Sequence, residues 1–316
     1  MQSISAIPII TSVIGGLILF LYSIRKLSLI LQRIFTSHSK KIIERFTKNI
    51  FSSILIGTLI TILLGSSSAV IIITIVFINS GSLNFRQAMG IIMGSNFGTT
   101  FSSQLIALNI SFYAVIILTI GFLIWMISKS KRNRKIGTVL LYFGMLFFGL
   151  FILENSVSPL NSSEQFNNWI LKIDSPLKGA IIGGVITLII QSSSATVAML
   201  ITLAKQNLIG ISAALAVMLG AELGTCSDTL LAVIGGKRDA IRAGVFHLLF
   251  NFIPIILGVL FFDYFENLVT QISNSTQSQI ANGHVLFSVL SVLLFLPFLN
   301  LFYRFIHFII PNKKMK

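Results

Sequence analysis

Nine apolar segments, at about 7–24, 50–80, 86–107, 110–128, 136–153, 177–204, 209–235, 242–262 and 284–310, take up most of this 316-residue chain. A helix that crosses a bilayer needs roughly 20 apolar residues, because the hydrocarbon core is ~30 Å thick. The polar sequence left between these segments is too short to coat a globule. Only 10% of residues are charged, against about 25% in a soluble domain. No ten-residue stretch alternates as an outer-membrane strand would. An all-α, polytopic membrane protein is predicted. The single cysteine, Cys226, excludes an internal disulfide. Residues 1–24 carry neither a basic start nor a small-residue cleavage site, so 7–24 reads as a first span and not a removed signal.

The net charge of +14 would suggest nucleic acid for a soluble chain. In a membrane protein it is explained by loops facing anionic lipid, and no nucleic-acid partner is expected. Seven Lys/Arg fall within 25–48 (Arg25, Lys26, Arg33, Lys40, Lys41, Arg45, Lys48), and five fall within 129–135. Lys237, Arg238 and Arg242 follow, and then Arg304, Lys313, Lys314 and Lys316. Residues 154–178 hold Lys172 and Lys178 against Glu154, Glu164 and Asp174, while 263–283 hold only Asp263 and Glu266. The positive-inside rule places the basic groups in the cytoplasm of a cell-membrane protein. The amino terminus is then outside and the carboxy terminus, with a basic tail at 311–316, inside. The stretch 25–48 also suits an interfacial amphipathic helix. Segment 7–24 would run out to in, and 136–153 in to out.

Aligning the chain on itself sharpens this. Gly65-Ser66-Ser67-Ser68-Ala69 returns 126 residues later as Gln191-Ser192-Ser193-Ser194-Ala195. Gly94-Ser95-Asn96-Phe97-Gly98-Thr99-Thr100 returns at the same offset as Gly220-Ala221-Glu222-Leu223-Gly224-Thr225-Cys226. With the charge bias, an inverted-topology repeat is expected: 1–128 as the first unit, and 129–310 as the second plus a closing helix.

Three consecutive serines cannot share one helical face, since successive residues step ~100°. A helix broken there exposes amides and hydroxyls, which survive in a membrane only around a protein-enclosed cavity. Segments 50–80 and 177–204 therefore read as re-entrant hairpins with serine tips. Their helix N-termini offer amide donors and positive dipole ends to an anion, and their oxygens suit sodium. Close helix packing by small residues is the blander reading. Asn96, Thr99 and Ser103 lie on one helical face. So do Glu222, Thr225 and either Asp228 or Thr229. Glu222 and Asp228 are the carboxylates placed deep in an apolar segment, where acids mark ion or proton pathways. For Asp228 a structural pairing with Arg238 or Arg242 is the alternative.

At these residues the chain resembles the type II sodium/phosphate cotransporter family, whose marks are two inverted repeats with Gln-Ser-Ser-Ser tips and Gly-Ala-Asn-Ile-Gly-Thr-Thr-like segments. Gln191 to Ser194 match in full. The first tip has Gly65 in place of glutamine, and the second segment has Glu222 for asparagine and Cys226 for threonine. Arg86-Gln87-Ala88 is similar to a further family feature, as is the run holding Arg242, His247 and Asn251. Asn282, His284, Phe287 and Pro297 resemble the closing helix. The resemblance implies secondary transport of inorganic phosphate coupled to sodium, without the soluble regulatory domain of many longer bacterial members.

It implies that Ser66, Ser67, Ser68, Ser192, Ser193 and Ser194 hold phosphate, with Gln191, Thr225 and Asp228 around sodium. The residues themselves add Asn96 to the phosphate site and Thr99, Thr100 and Glu222 to the ion site, with Arg242, His247 and Asn251 in support. No cofactor or transition metal is expected, and His247 and His284 read as hydrogen-bonding residues around the cavity. Another oxyanion, or protons in place of sodium, is the alternative on the same scaffold. An added carboxylate at Glu222 would repel phosphate unless a cation or proton intervened. An intramembrane serine hydrolase fits less well, because His247 has no repeat counterpart at Gly121. A primary pump lacks its phosphate loop, since Gly235-Gly236-Lys237 continues with Arg238.

Overall fold

The computed structural model describes residues 6–47, 49–108, 113–170, 172–173 and 175–312. Lys48, Asp174 and the basic tail from Lys313 onward lie outside the described residues. Every regular element described is helical.

α1 (Ala6–Phe46) does not stop where its apolar segment does. Residues 25–46 contain no glycine or proline, and Leu, Ile, Lys and Arg continue a helix readily. α2 (Ile50–Leu64) opens with a reciprocal cap between Asn49 and Ser52 and ends at Gly65, which is left-handed at φ 64°. α3 (Ser67–Ser80) starts two residues later, with Ser66 as its cap. α4 (Phe85–Ala107) repeats the reciprocal cap with Asn84 and Gln87. The Gln87 amide also donates to the Thr47 carbonyl at 3.1 Å, tying this helix to the end of α1. α5 (Ala114–Ile127) and α6 (Lys131–Val157) form a hairpin that packs on α1. A short 3-10 turn and α7 (Glu164–Ile170) lead to the second serine-tipped pair of helices.

That pair and the helix after it repeat the break and packing of α2, α3 and α4. α8 (Pro176–Ile190) ends at Gln191 in the left-handed region, φ 58°, and α9 (Ser193–Lys205) is capped by Ser192. α10 (Ile211–Gly224) packs on α8 as α4 packs on α2. Glycine sets both contacts. A Cβ on Gly94 would lie 1.9 Å from the Ile54 carbonyl oxygen, and one on Gly220 would lie 1.7 Å from that of Ala180. Both partners of each pair are shifted by the same 126 residues, so the two crossings are one packing used twice.

The apolar segments divide more finely than their hydropathy suggests. Segment 209–235 breaks at Thr225, where α10 gives way to α11 (Cys226–Ala232). α12 (Arg238–Leu260) keeps Pro254 inside it. The polar stretch after 262 holds α13 (Phe262–Ile272), which buries Phe262, Phe265 and Val269. Segment 284–310 divides into α14 (Thr276–Phe295) and α15 (Leu299–Ile309) around Pro297, which has no amide to continue a helix. Among the described residues, five helical stretches are long and apolar enough to cross a membrane: Pro8–Arg33, Lys131–Leu160, Ile211–Ala232, Arg238–Leu260 and Thr276–Phe295. α2, α3, α8 and α9 have 13 to 15 residues. At 1.5 Å per residue each reaches about 20–22 Å, short of a ~30 Å hydrocarbon core.

Candidate functional site

Each serine tip is a helix N-terminus made by a left-handed residue followed by a capping hydroxyl. Gly65 adopts φ 64° without a Cβ penalty, whereas Gln191 holds the same conformation with a side chain, which costs about 1 kcal/mol or more. Ser66 Oγ accepts from the Ala69 amide at 3.2 Å, and Ser192 Oγ accepts from Ala195 at 3.2 Å. The first amides of α3 and α9, at Ser67, Ser68, Ser193 and Ser194, precede the first intrahelical bonds, so their donors are left over at the tip. In the second unit Thr187 and Thr196 hydroxyls meet at 2.7 Å and brace α8 against α9. The first unit has Thr61 but Val70 at these places, and the Thr61 hydroxyl is buried without a partner.

Both tips open into one cavity of about 650 Å³. Its wall includes Ser66, Ser67, Ser68, Ser192, Ser193 and Ser194, together with Gln191, Thr225 and Asp228. Asp228 lines this wall together with Ser66, Ser67 and Ser68, so an acid of the second unit shares the cavity with the tip of the first. Among the described residues Asp228 makes no ion pair with Arg238 or Arg242. Arg242 instead donates to the Ile310 carbonyl through Nε and Nη2 at 3.0 and 2.7 Å, to Asn312 Oδ1 at 2.7 Å and to Asp239 at 2.6 Å. It fastens the start of α12 to the chain after α15.

The other predicted residues form a buried polar layer that the cavity wall does not include. Asn96 Nδ2 donates to Asn251 Oδ1 at 2.7 Å, and Asn251 Nδ2 reaches Cys226 Sγ at 3.2 Å. Thr99 and Thr100 hydroxyls donate to the backbone carbonyls of Ser95 and Phe97. Glu222 Oε1 lies 2.9 Å from His284 Nε2, and His284 Nδ1 lies 2.7 Å from Ser103 Oγ. His247 Nδ1 lies 2.9 Å from Thr229 Oγ1. Three atoms of this layer, Asn96 Oδ1, Glu222 Oε2 and His247 Nε2, are buried with no hydrogen-bond partner among the described residues. The layer joins α4, α10, α11, α12 and α14, which is to say both units and the closing helix. Among the described residues no three His, Cys, Asp or Glu side chains group as metal ligands would.

Sequence reasoning missed a third wall. Arg25, Ser28 and Gln32 of α1 line the same cavity as the tips. Their i, i+3, i+7 spacing is that of one helical face, and this was the available signal. It was hidden because these residues lie just past the apolar segment, in a stretch read for its charge and as a helix at the membrane surface.

The chain is 31% identical to "Uncharacterized protein YqeW" of Bacillus subtilis over 299 residues, covering 93% of this chain and 97% of that one. It is 24% identical to "Putative inorganic phosphate export protein YjbB" of Salmonella typhimurium over 89% of this chain, which spans about half (52%) of that relative. It is 27% identical over 152 residues to human "Sodium-dependent phosphate transport protein 2B", covering 42% of this chain and 22% of that one. No solved structure matches. The profile described as Na+/Pi-cotransporter matches residues 19–155 and 160–295, nearly the whole membrane part, and the chain belongs to that family of multi-pass membrane transporters.

Proposed function

We propose that this chain carries inorganic phosphate across the cell membrane, coupled to sodium, by alternating access around a site shared by the two serine tips. The observation that supports this best is the single cavity into which both tips open. Phosphate would be held by the leftover amides and hydroxyls of two helix N-termini, each equivalent to about half a positive charge. Gln191, Thr225 and Asp228 on the same wall supply the oxygen donors that a hard cation takes. Sodium beside Asp228 would cancel that acid's charge, so phosphate and sodium each favour the other's binding.

The helices α2, α3, α8 and α9 fall short of a bilayer, as re-entrant hairpins would. The repeated packing at a fixed offset, with the alternating charge bias, fits two units of opposite orientation with the amino terminus outside. In such a scaffold the units rock about the fixed site. The serines bind in this reading and do not attack: His247, the nearest base in kind, is not among the residues that line the cavity with them. The names of two relatives, one an exporter and one a sodium-dependent transporter, give phosphate as the substrate in both cases.

One observation favours a second reading of the coupling ion. Glu222 stands where the resembling family has asparagine, and it is 2% exposed and joined to His284. Buried acids of this kind also serve proton relays.

Radiolabelled phosphate flux into proteoliposomes, with and without a sodium gradient, tests the proposal. Uptake that saturates and rises with the gradient is expected. Saturable flux indifferent to sodium would remove the coupling ion, and no phosphate flux at all would remove the function.

A further inference from the structure

We infer that Arg25 of α1 is the cationic contact for phosphate in this cavity, a specificity-determining residue outside both repeated motifs. The inference rests on the phosphate-carrier reading above. Of the residues that line the cavity, Asp228 is the one carboxylate and Arg25 the one cation. Without Arg25 the one formal charge on the wall would be Asp228. Two helix N-termini, at about half a positive charge each, would do no more than balance that acid, and they act over only about a turn.

The guanidinium is also available. Among the described residues Arg25 has no hydrogen bond or ion pair, in contrast to Arg242, whose donors reach three acceptors. Its neighbour Lys26 lies instead over the Tyr22 ring, 5.4 Å from the centroid. The two residues one and two turns further along the same face of α1 are linked to each other, Gln32 Nε2 donating to Ser28 Oγ at 3.1 Å. That leaves Arg25 as the charged group of this wall. A planar guanidinium matches two oxygens of a tetrahedral oxyanion, which a lysine ammonium does not. The tips would then bind one face of phosphate and α1 the other, with the guanidinium favouring the dianion over the monoanion. Because Arg25 is exposed, the phosphate group it meets has two sources, the free ion in the cavity or a lipid headgroup. The site beside the serine tips favours the free ion.

The test uses the full chain in phosphatidylcholine proteoliposomes, comparing wild type with Arg25→Gln and Arg25→Lys. Arg25→Gln should raise the KM for inorganic phosphate roughly ten- to a hundredfold. Maximal rate and thermal stability should stay near wild type, and Arg25→Lys should recover part of the KM. Wild type should prefer the dianion when KM is compared on either side of phosphate's second ionisation, and Arg25→Gln should flatten that preference. In the wild-type protein, inorganic phosphate should slow modification of Arg25 by phenylglyoxal. A KM unchanged in Arg25→Gln, or protection conferred by anionic lipid and not by inorganic phosphate, overturns the inference while leaving the carrier reading intact. Absence of phosphate flux in wild type overturns both.

Discussion

His284 Nε2 lies 2.9 Å from Glu222 Oε1, and the other nitrogen of the same ring lies 2.7 Å from Ser103 Oγ, so one imidazole joins α14 to both repeated units. Three arrangements satisfy this geometry. A neutral ring donates to an ionised Glu222 and accepts from Ser103, a protonated ring donates to both, or a neutral ring accepts from a protonated Glu222 and donates to Ser103. In each, the glutamate is held by α14 while its second oxygen has no hydrogen-bond partner among the described residues.

Glu222→Gln keeps an oxygen for His284 and removes the charge, so the fold should survive and ion coupling should change. The measurement is phosphate flux against sodium concentration at two pH values. A weakened sodium response marks Glu222 as part of the sodium site, and a flattened pH response with sodium dependence retained marks a proton role. Curves that match wild type at both pH values make the residue structural. His284→Ala, by contrast, leaves a buried carboxylate without its partner and should cost about 3–5 kcal/mol if that carboxylate is charged.

Thr196→Val should destabilise the protein by about 1–3 kcal/mol, because it strands the buried Thr187 hydroxyl that now meets Thr196 at 2.7 Å. Val70→Thr makes the reverse change in the first unit, giving Thr61 the partner its counterpart has. It should be neutral or stabilising by about 1 kcal/mol. Thermal unfolding in detergent reads both, and a destabilising Val70→Thr would contradict the equivalence of the two tips.

The tips were readable because a triple serine inside an apolar run has no good helical solution in lipid, and two such runs share an offset with a second polar motif. The helix ends came from the same logic. Gly65 and Gln191 fall at the left-handed residue, and Ser66 and Ser192 at the cap. Less was readable where charge and helix part company. Arg25 ends an apolar segment but not a helix, and only the three-dimensional course of α1 brings it beside residues far along the chain. The placement of Asn96 and Glu222 in a layer beside the cavity wall was likewise invisible. Helical spacing puts polar residues on one face without saying whether that face meets open space or α12 and α14.

Gln191→Gly should leave stability unchanged or raise it by about 1 kcal/mol, since it removes the penalty of a side chain in the left-handed region. Transport should nonetheless fall, with its sodium dependence affected first. Paired thermal unfolding and flux separate the two effects. Full activity in Gln191→Gly would show that the glutamine amide takes no part in ion binding.

Ser67→Ala and Ser193→Ala remove one hydroxyl from each tip without disturbing the caps, which belong to Ser66 and Ser192. Each should weaken phosphate affinity ten- to a hundredfold, the ~1.5–3 kcal/mol typical of a hydrogen bond to a charged group. Phosphate dependence of flux measures this, and unchanged KM in both variants would take the tips out of substrate binding.

Whether the two tips enclose one phosphate is decided by cross-linking. With Cys226→Ser removing the native thiol, Ser67→Cys and Ser193→Cys introduced together should be joined by a short bifunctional reagent. Inorganic phosphate with sodium should slow that reaction, while sulfate-free buffer with sodium alone should not. Phosphate-protected cross-linking is the result expected of a shared site. Thiols that react singly and never join, at any phosphate concentration, would place the tips apart and contradict it.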